Sequence, residues 1–382
     1  MKIAIVHDFL KEYGGAERVL EVLHEIYPEA PIYTAFVDYK GLGVHAERVK
    51  KWKIIQSPFG SSYFMKKFHS PLRFLAPLVW ESFDFGNYDL VISSSGWYIS
   101  RGIITHPKTV HICYLHHPPR HLYGYETALE WQKYWPVRVY ALLINCGLRL
   151  YDYLASQRVD YFIANSYETQ KRIKKFYRCD STVIYPPVEI RSLKAASQES
   201  KIKLNLENYF LSVSRLARAK HIDLIIKSCQ KLNQPLIVVG KGREERNLQS
   251  LVNNRLSKVT FLGEVKDEEL SLIYQNARAF ITASVDEEFG ISAVEAMMYG
   301  KPVIAYRSGG FRETIVEDRN GLFFDQLTAD SLTKTLQRFS SSNHFAGKDC
   351  VEDCLSYAQE FSKERFKKEI KEFVKRVCPK KK

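Results

Sequence analysis

The stretch 279-AFITASVDEEFGISAVEAMMYG-300 holds a strand, an exit loop and the start of a helix. AFITA (279–283) is apolar at every position but Thr282. Such runs belong to strands covered on both faces, as in a parallel sheet. The acidic residues 286–288 follow as the exit loop, and Gly290 opens a helix over about 291–299. A helix start leaves backbone amides open to an acceptor or an anion. Glu287 stands in the loop. Glu295 lies about 6 Å up the helix, at about 1.5 Å per residue. Two carboxylates facing one cleft would hold two parts of one ligand, and vicinal hydroxyls are natural donors to them. An acidic loop that complements the helix dipole, with Glu295 in solvent, accounts for the same residues.

Outward from this stretch the same unit recurs. Strands are expected at 209-YFLSVS-214, 236-LIVVG-240, 259-VTFLG-263 and 302-PVIAY-306, with helices near 219–231, 243–253 and 267–277. Earlier in the chain KIAIVH (2–7), DLVISS (89–94), TVHICYL (109–115) and DYFIA (160–164) are strand-like. After the first of them an amphipathic helix carries Val19, Leu20, Leu23, Ile26 and Tyr27 on one face. The pattern breaks at 183-VIYPPVE-189, where two prolines exclude a central strand. This places an interdomain linker there and a surface loop at 191–203. The fold class is therefore α/β. Two Rossmann-like domains are expected, 1–187 and 188–360, facing a central cleft. The basic amphipathic helix from 361 to 382 is expected to pack back on the N-terminal domain or to lie on a membrane. Open α/β sheets bind ligands at the carboxyl ends of their strands.

Composition narrows the class. The 382 residues suit two domains, and 45% hydrophobic content is globular. No run approaches 18 unbroken apolar residues, and the start reads as a core strand without a cleavage site. A cytoplasmic location is expected. Seven scattered cysteines argue against a disulfide framework. Cys350 and Cys354 are read as packed side chains in preference to metal ligands. The net charge of +13 is concentrated at 40–75 and at the C-terminus. It points to an anionic partner: phosphate, nucleic acid or an acidic membrane. No zinc finger, RNP run or basic recognition helix supports nucleic acid.

Four other strand ends carry candidate residues. In 8-DFLKEYGGAERV-19, Gly14 and Gly15 allow close backbone approach at a helix start; a plain glycine turn explains them equally well. In 113-CYLHHPPRHLY-123, His116 and His117 end a strand. His116 is read as a neutral hydrogen-bonding partner of a polar ligand, with a structural role or a metal site as alternatives. In 212-SVSRLARAKHIDLII-226, Arg215 and Lys220 stand before a helix start, a combination suited to a diphosphate. The G-x-G at 240–242 is equally a tight turn.

These residues resemble the retaining glycosyltransferases of family 4, which have the GT-B fold. The matching features are E-F-G and E-x7-E from Glu287 to Glu295, S-R-L-x-x-x-K from Ser214 to Lys220, F-L-G-x-V-x-D-E-E-L at 261–270, G-K-P-V-I-A at 300–305 and S-G-G-x-x-E at 308–313. The D-F-x4-G-G-A-E and Y-x-H-x-P-x-R runs are similar to the branch with bacterial O-antigen mannosyltransferases. The resemblance implies that Arg215 and Lys220 grip a donor diphosphate, that Glu295 holds the ribose and that Glu287 holds sugar hydroxyls. It places the amides of Phe289, Gly290 and Ile291 on sugar and phosphate, Gly15 near the phosphates, His116 near the C6 hydroxyl, and the base near Val265. Glu288 replaces a commoner glycine and receives no role. No D-x-D occurs in the sequence, which agrees with a metal-independent transferase without a cofactor. The implied donor is a nucleotide sugar, GDP-mannose from the branch resemblance. Another UDP- or ADP-sugar, or a GT-B sugar-nucleotide epimerase, stays open, as does a sugar-nucleotide sensor without catalysis.

The stretches 61-SSYFMKKFHSPLRFLAPLVWESF-83 and 131-WQKYWPVRVYALLINCGLRLYDYL-154 mix aromatic, aliphatic and basic residues. They are read as core helices with basic flanks or as a surface that meets an anionic membrane, peripheral on its inner face. A polyprenyl-diphosphate-linked glycan acceptor would suit both charge and apolarity.

Overall fold

The computed structural model describes residues 1–126, 134–189, 208–252 and 257–378. The expected loop at 191–203 lies outside the described residues. Two compact units form. The first holds 1–125, 134–187 and 363–378, and the second holds 126, 188–189, 208–252 and 257–362 of the described residues.

The first unit is built on a seven-stranded parallel sheet. Its strands are β1 (Ile3–His7), β2 (Ile32–Thr34), β3 (Ile54–Gln56), β4 (Leu90–Ser95), β5 (Val110–Leu115), β6 (Tyr161–Ala164) and β7 (Ser181–Val183), in the order β3-β2-β1-β4-β5-β6-β7. Residues alternate between the two faces of a strand. Ile5, Leu90 and Ile92 accordingly join one buried cluster, with Leu20 and Leu23 of the helix Gly15–Ile26. Ala4, Val6 and Val91 join another cluster on the opposite face, with Val79 and Trp80. Both faces are covered, which explains the continuous apolar runs.

The helix Lys363–Val377 belongs to this first unit. Phe366, Ile370, Phe373 and Val374 enter the same cluster as Ile5 and Leu20. Each such burial is worth about 1.5–3 kcal/mol before entropy is counted. Lys363 and Lys367 both pair with Glu25, at 2.9 and 2.7 Å, and fix the register of this helix on Gly15–Ile26.

The second unit has a six-stranded parallel sheet of β8 (Tyr209–Val213), β9 (Leu236–Val239), β10 (Val259–Gly263), β11 (Ala277–Thr282), β12 (Val303–Tyr306) and β13 (Gly321–Phe324). Its order, β10-β9-β8-β11-β12-β13, repeats the plan of the first sheet. The order reverses between β1 and β4 in one unit and between β8 and β11 in the other. Crevices for ligands open at such reversal points. The sequence marks neither β2, β3 and β7, of three residues each, nor β13, of four. Strands this short show no period of their own. β7 lies at 181–183, just before Pro186 and Pro187, on the sheet edge where a following proline is tolerated.

Candidate functional site

In the second unit the exits of β8 and β11 lie side by side. The loop after β8 carries Arg215 and Lys220 and ends at His221, which adopts φ +46° before the helix Ile222–Lys231. The loop after β11 turns at Asp286 (φ +53°) and again at Gly290 (φ +87°), the residue before the helix Ile291–Met298. Val285 N–H donates to Ala219 C=O at 3.1 Å and ties the two loops together. A third loop, after β12, braces them. Asp286 N–H donates to Ser308 Oγ at 3.0 Å, and Gly310 N–H donates to Glu287 C=O at 2.8 Å. Gly309 and Gly310 sit where a Cβ would strike the Glu287 and Glu288 carbonyls, so S-G-G at 308–310 is a packing requirement of the acidic loop.

Glu287 and Lys220 meet as an ion pair, each with 19% of its side chain exposed. The pair lies at the starts of two helices, Ile222–Lys231 and Ile291–Met298. Glu295 is buried, and Tyr274 Oη donates to its Oε2 at 3.1 Å. Tyr274 is itself stacked on Tyr299 at 5.4 Å. The alternative in which Glu295 is solvated is therefore excluded. Phe289 turns its ring into the core against Phe361, at 5.2 Å, so this residue has only backbone to offer a ligand. Ile291 follows Gly290 as the first helical residue. Val265 is half-buried just beyond β10, two strands away from β8, in the turn after Gly263. Glu288 is buried, unlike a surface loop residue.

In the first unit Gly14 and Gly15 start the helix Gly15–Ile26, and Gly14 N–H donates to Glu17 Oε2 at 2.8 Å. Asp8, directly after β1, accepts from the N–H groups of Gly96, Tyr98 and Ser100 at 3.1, 2.8 and 3.0 Å. It thereby shapes the loop after β4, next to the loop of Gly15. His116 is buried at the end of β5, with Nε2 2.8 Å from Ser94 Oγ. Its carbonyl accepts from Asn165 Nδ2 at 2.9 Å, which fixes the backbone at this bend. His111 lies inside β5 against Ser93 Oγ at 2.8 Å. Burial, helped by the Arg101 charge, pushes His111 down to about 3. His121 is likewise lowered to about 3 by burial, then by Arg73 and His117. Among the described residues no three His, Cys, Asp or Glu side chains converge as metal ligands do.

The structure thus gathers Arg215, Lys220, Glu287, Phe289, Gly290, Ile291 and Glu295 at one reversal point, with Val265 on the flanking edge. Gly15 and His116 stand at the strand ends of the first unit. Sequence reasoning gave no role to Asp8 and Glu17, the two ends of the D-F-x4-G-G-A-E run, and passed over His7, Ser94 and Tyr274. A polar His7 closing an apolar strand and three serines closing β4 were the available signals.

Known proteins are similar to this chain in sequence and fold. The family model for glycosyltransferase family 4 matches residues 13–192, and that for glycosyl transferases group 1 matches residues 195–360. The chain is 32% identical over 197 residues to the O-antigen chain mannosyltransferase RfbU of Salmonella typhimurium, covering 48% of this chain and 53% of that protein. It is 26% identical over 236 residues to the UDP-N-acetylglucosamine–peptide N-acetylglucosaminyltransferase GtfA subunit of Streptococcus parasanguinis, covering 59% of this chain and 46% of that one. The chain thus spans about half the length of these curated relatives. HepE of Anabaena, solved in complex with UDP and glucose, superimposes with a TM-score of 0.69 at 19% identity, covering 98% of this chain and 99% of that one. With two matched families end to end, two sheets of the same strand order and the E-x7-E loop at a reversal point, the chain belongs to the family 4 glycosyltransferases and has the GT-B fold.

Proposed function

We propose that the chain is a metal-independent, retaining hexosyltransferase, with GDP-mannose as donor and a polyprenyl-diphosphate-linked glycan as acceptor. The observation that carries the donor assignment is the Lys220–Glu287 ion pair at two adjacent helix starts. A donor diphosphate entering there takes Lys220, together with Arg215, and releases Glu287 to accept from sugar hydroxyls. Glu295, steadied by Tyr274, accepts from the ribose. The amides of Phe289, Gly290 and Ile291 lie at a helix start, where a developing negative charge is stabilised. Gly15, also at a helix start, serves the phosphates, Val265 borders the base, and His116 contacts a sugar hydroxyl. Charge on the leaving diphosphate is balanced by Arg215, Lys220 and helix dipoles, in place of a cation.

In the transfer step the acceptor oxygen bonds to the anomeric carbon on the face from which the diphosphate departs. The bond from that carbon to the phosphate oxygen breaks, and the same phosphate takes the acceptor's proton. The configuration is retained. The mannosyl reading draws on the D-F-x4-G-G-A-E and Y-x-H-x-P-x-R runs and on the likeness to RfbU. HepE was solved with UDP and glucose, so the donor panel must include both nucleotides. Thermal shift with GDP-mannose, UDP-glucose, UDP-N-acetylglucosamine and ADP-glucose is the test. Stabilisation by GDP-mannose above the others is expected; selective stabilisation by a UDP-sugar would overturn the mannosyl assignment.

The acceptor assignment draws on an apolar, basic surface of the first unit. On the helix Trp135–Gln157, Trp135, Leu142, Leu143 and Leu150 are 62–74% exposed. Nearby, Tyr63 and Phe64 are 79% and 59% exposed, with Lys67 over the Tyr63 ring. Arg73 joins the two segments, donating to Asn145 Oδ1 at 2.9 Å and lying over the Tyr140 ring. Contiguous apolar exposure of this kind marks an interaction surface. No helix among the described residues is long and apolar enough to cross a membrane. The surface suits peripheral binding to the inner, anionic leaflet, where a lipid-linked acceptor would be presented.

A further inference from the structure

Arg73 is a half-buried cation that meets no anion. Its segment, 61–83, carries three Lys or Arg side chains, Lys66, Lys67 and Arg73, and one carboxylate, Glu81. Glu81 is taken by Arg158 at 2.8 Å. Among the described residues none of the three cations pairs with a carboxylate. Lys67 lies over the Tyr63 and Phe68 rings. Arg73 Nη1 donates to the Ser70 carbonyl at 3.0 Å, Nη2 donates to Asn145 Oδ1 at 2.9 Å, and the guanidinium lies over the Tyr140 ring. All three partners are neutral. Burial holds the guanidinium below the ordinary arginine value. A guanidinium carries five N–H donors. Two are used here, and the covered Nε–H is among those left over.

The surroundings of Arg73 are also short of partners. Asn145 Nδ2 donates to the His121 carbonyl at 3.2 Å, so one buried amide holds Arg73 beside the loop after β5. Both ring nitrogens of His121 are shielded from solvent and bond no group among the described residues. Buried polar groups are nearly always paired, and a charge drawn from water without a counter-ion is costly. An arriving anion relieves that cost. The planar guanidinium matches two oxygens of a phosphate at once.

The flanking residues select among anions. The segment that carries Arg73 exposes Tyr63, Phe64, Phe74 and Leu78, and the helix that carries Asn145 exposes Trp135 and Leu142. Through Asn145 and His121, Arg73 is tied to the carboxyl end of β5, where His116 stands. A phosphate seated there has apolar surface beside it for a lipid chain and a strand end beside it for a sugar. We propose that Arg73, held by Asn145 beside His121, seats the diphosphate of a lipid-linked acceptor, between its apolar chain and its glycan. The inference deepens the acceptor reading given above and rests on it. A membrane headgroup carries phosphate too, but it would meet the exposed Lys67 before a half-buried guanidinium tied inward to a strand-end loop.

The test is equilibrium binding of farnesyl diphosphate, a soluble prenyl diphosphate, to the full chain, with farnesol and inorganic diphosphate as comparison probes. Farnesyl diphosphate is expected to bind at least tenfold more tightly than either. Arg73→Gln is expected to weaken it about tenfold or more, the range for a hydrogen bond to a charged group, and to leave farnesol unchanged. Arg73→Lys keeps the charge without the fork and is expected to fall between. Equal binding of farnesyl diphosphate by Arg73→Gln and the unsubstituted protein would overturn the proposal. An equal loss of binding to phosphatidylglycerol vesicles would do so as well, by assigning Arg73 to membrane headgroups. If neither variant folds, a photoreactive farnesyl diphosphate analogue on the unsubstituted protein decides. Cross-links within 61–83 or 134–157 are expected, and cross-links confined to the second unit contradict the assignment. Binding that ignores Arg73 removes the Arg73 seat alone. No binding of farnesyl diphosphate by the unsubstituted protein removes the lipid-linked acceptor with it. No nucleotide sugar is present in these measurements, so the donor assignment stands apart from both outcomes.

Discussion

At the scale of single residues, the acidic loop after β11 separates carboxylates by environment. Glu287 is a fifth exposed and paired with Lys220, whereas Glu288 is buried. Glu287→Ala and Lys220→Ala are each expected to lower kcat/KM by about 10²-fold or more, the range for removal of one preorganised charge-stabilising group. Glu288→Ala is expected to lower the melting temperature while leaving kcat/KM within a few-fold of the unsubstituted protein. Steady-state kinetics beside thermal denaturation checks this; equal kinetic losses at Glu287 and Glu288 would refute the division. Glu17 makes a pH-dependent contribution. Its folded value lies below the unfolded one, so its stabilisation is present above the unfolded carboxylate range, about 4.3, and disappears as pH falls through the folded value. The melting-temperature gap between the unsubstituted protein and Glu17→Gln is therefore expected to be widest at neutral pH and to close on acidification. Glu287 and Glu295 stood out in the sequence because their eight-residue spacing crosses a strand end and a helix start. The buried contacts that join Glu17, His7, Ser94 and His116 did not, since they depend on β1 lying beside β4 and β4 beside β5, and such pairing leaves no local pattern.

At the scale of elements, the strongest signals came from strands buried on both faces. β1, β4, β5, β8, β9 and β11 read as apolar runs because helices cover both sides of each sheet. The edge strands β3 and β7 are only half-buried, so their three residues carry no such run. The basic C-terminal stretch left two destinations open in the sequence, the first domain or a membrane. Its apolar face, with Phe366, Ile370, Phe373 and Val374, is in fact buried in the core of the first unit. Ile370→Ala is expected to destabilise that unit by about 2–5 kcal/mol, as for other large-to-small core substitutions. Chemical denaturation followed through the first unit's tryptophans measures it. A change below 0.5 kcal/mol, the ordinary surface range, would show that the helix is not docked. Gly290→Ala is expected to be destabilising for a different reason, since φ +87° disfavours a side chain and a Cβ would strike the Phe311 ring.

At the scale of the whole molecule, the two units repeat one strand order; the candidate residues of each stand at its strand ends, and in the second unit all but Val265 stand at its reversal point. The helix Trp135–Gln157 gives the first unit an exposed apolar face with basic residues beside it, the surface proposed above to meet an anionic bilayer. Leu142→Glu with Leu143→Glu is expected to weaken vesicle binding more than tenfold, since burying each leucine is worth about 1.5–3 kcal/mol and tenfold is about 1.4 kcal/mol. Cosedimentation with phosphatidylglycerol vesicles at low and high salt checks this, and equal binding by the double variant would remove the surface from the membrane role. The donor side is decided by turnover. Purified protein would be incubated with GDP-mannose and a polyprenyl-diphosphate-linked glycan, with GDP release and product mass followed together. The expected result is one GDP released per hexose added, with the anomeric configuration of the donor preserved in the product. GDP release without a heavier product, or a product of inverted configuration, would contradict retaining hexosyl transfer.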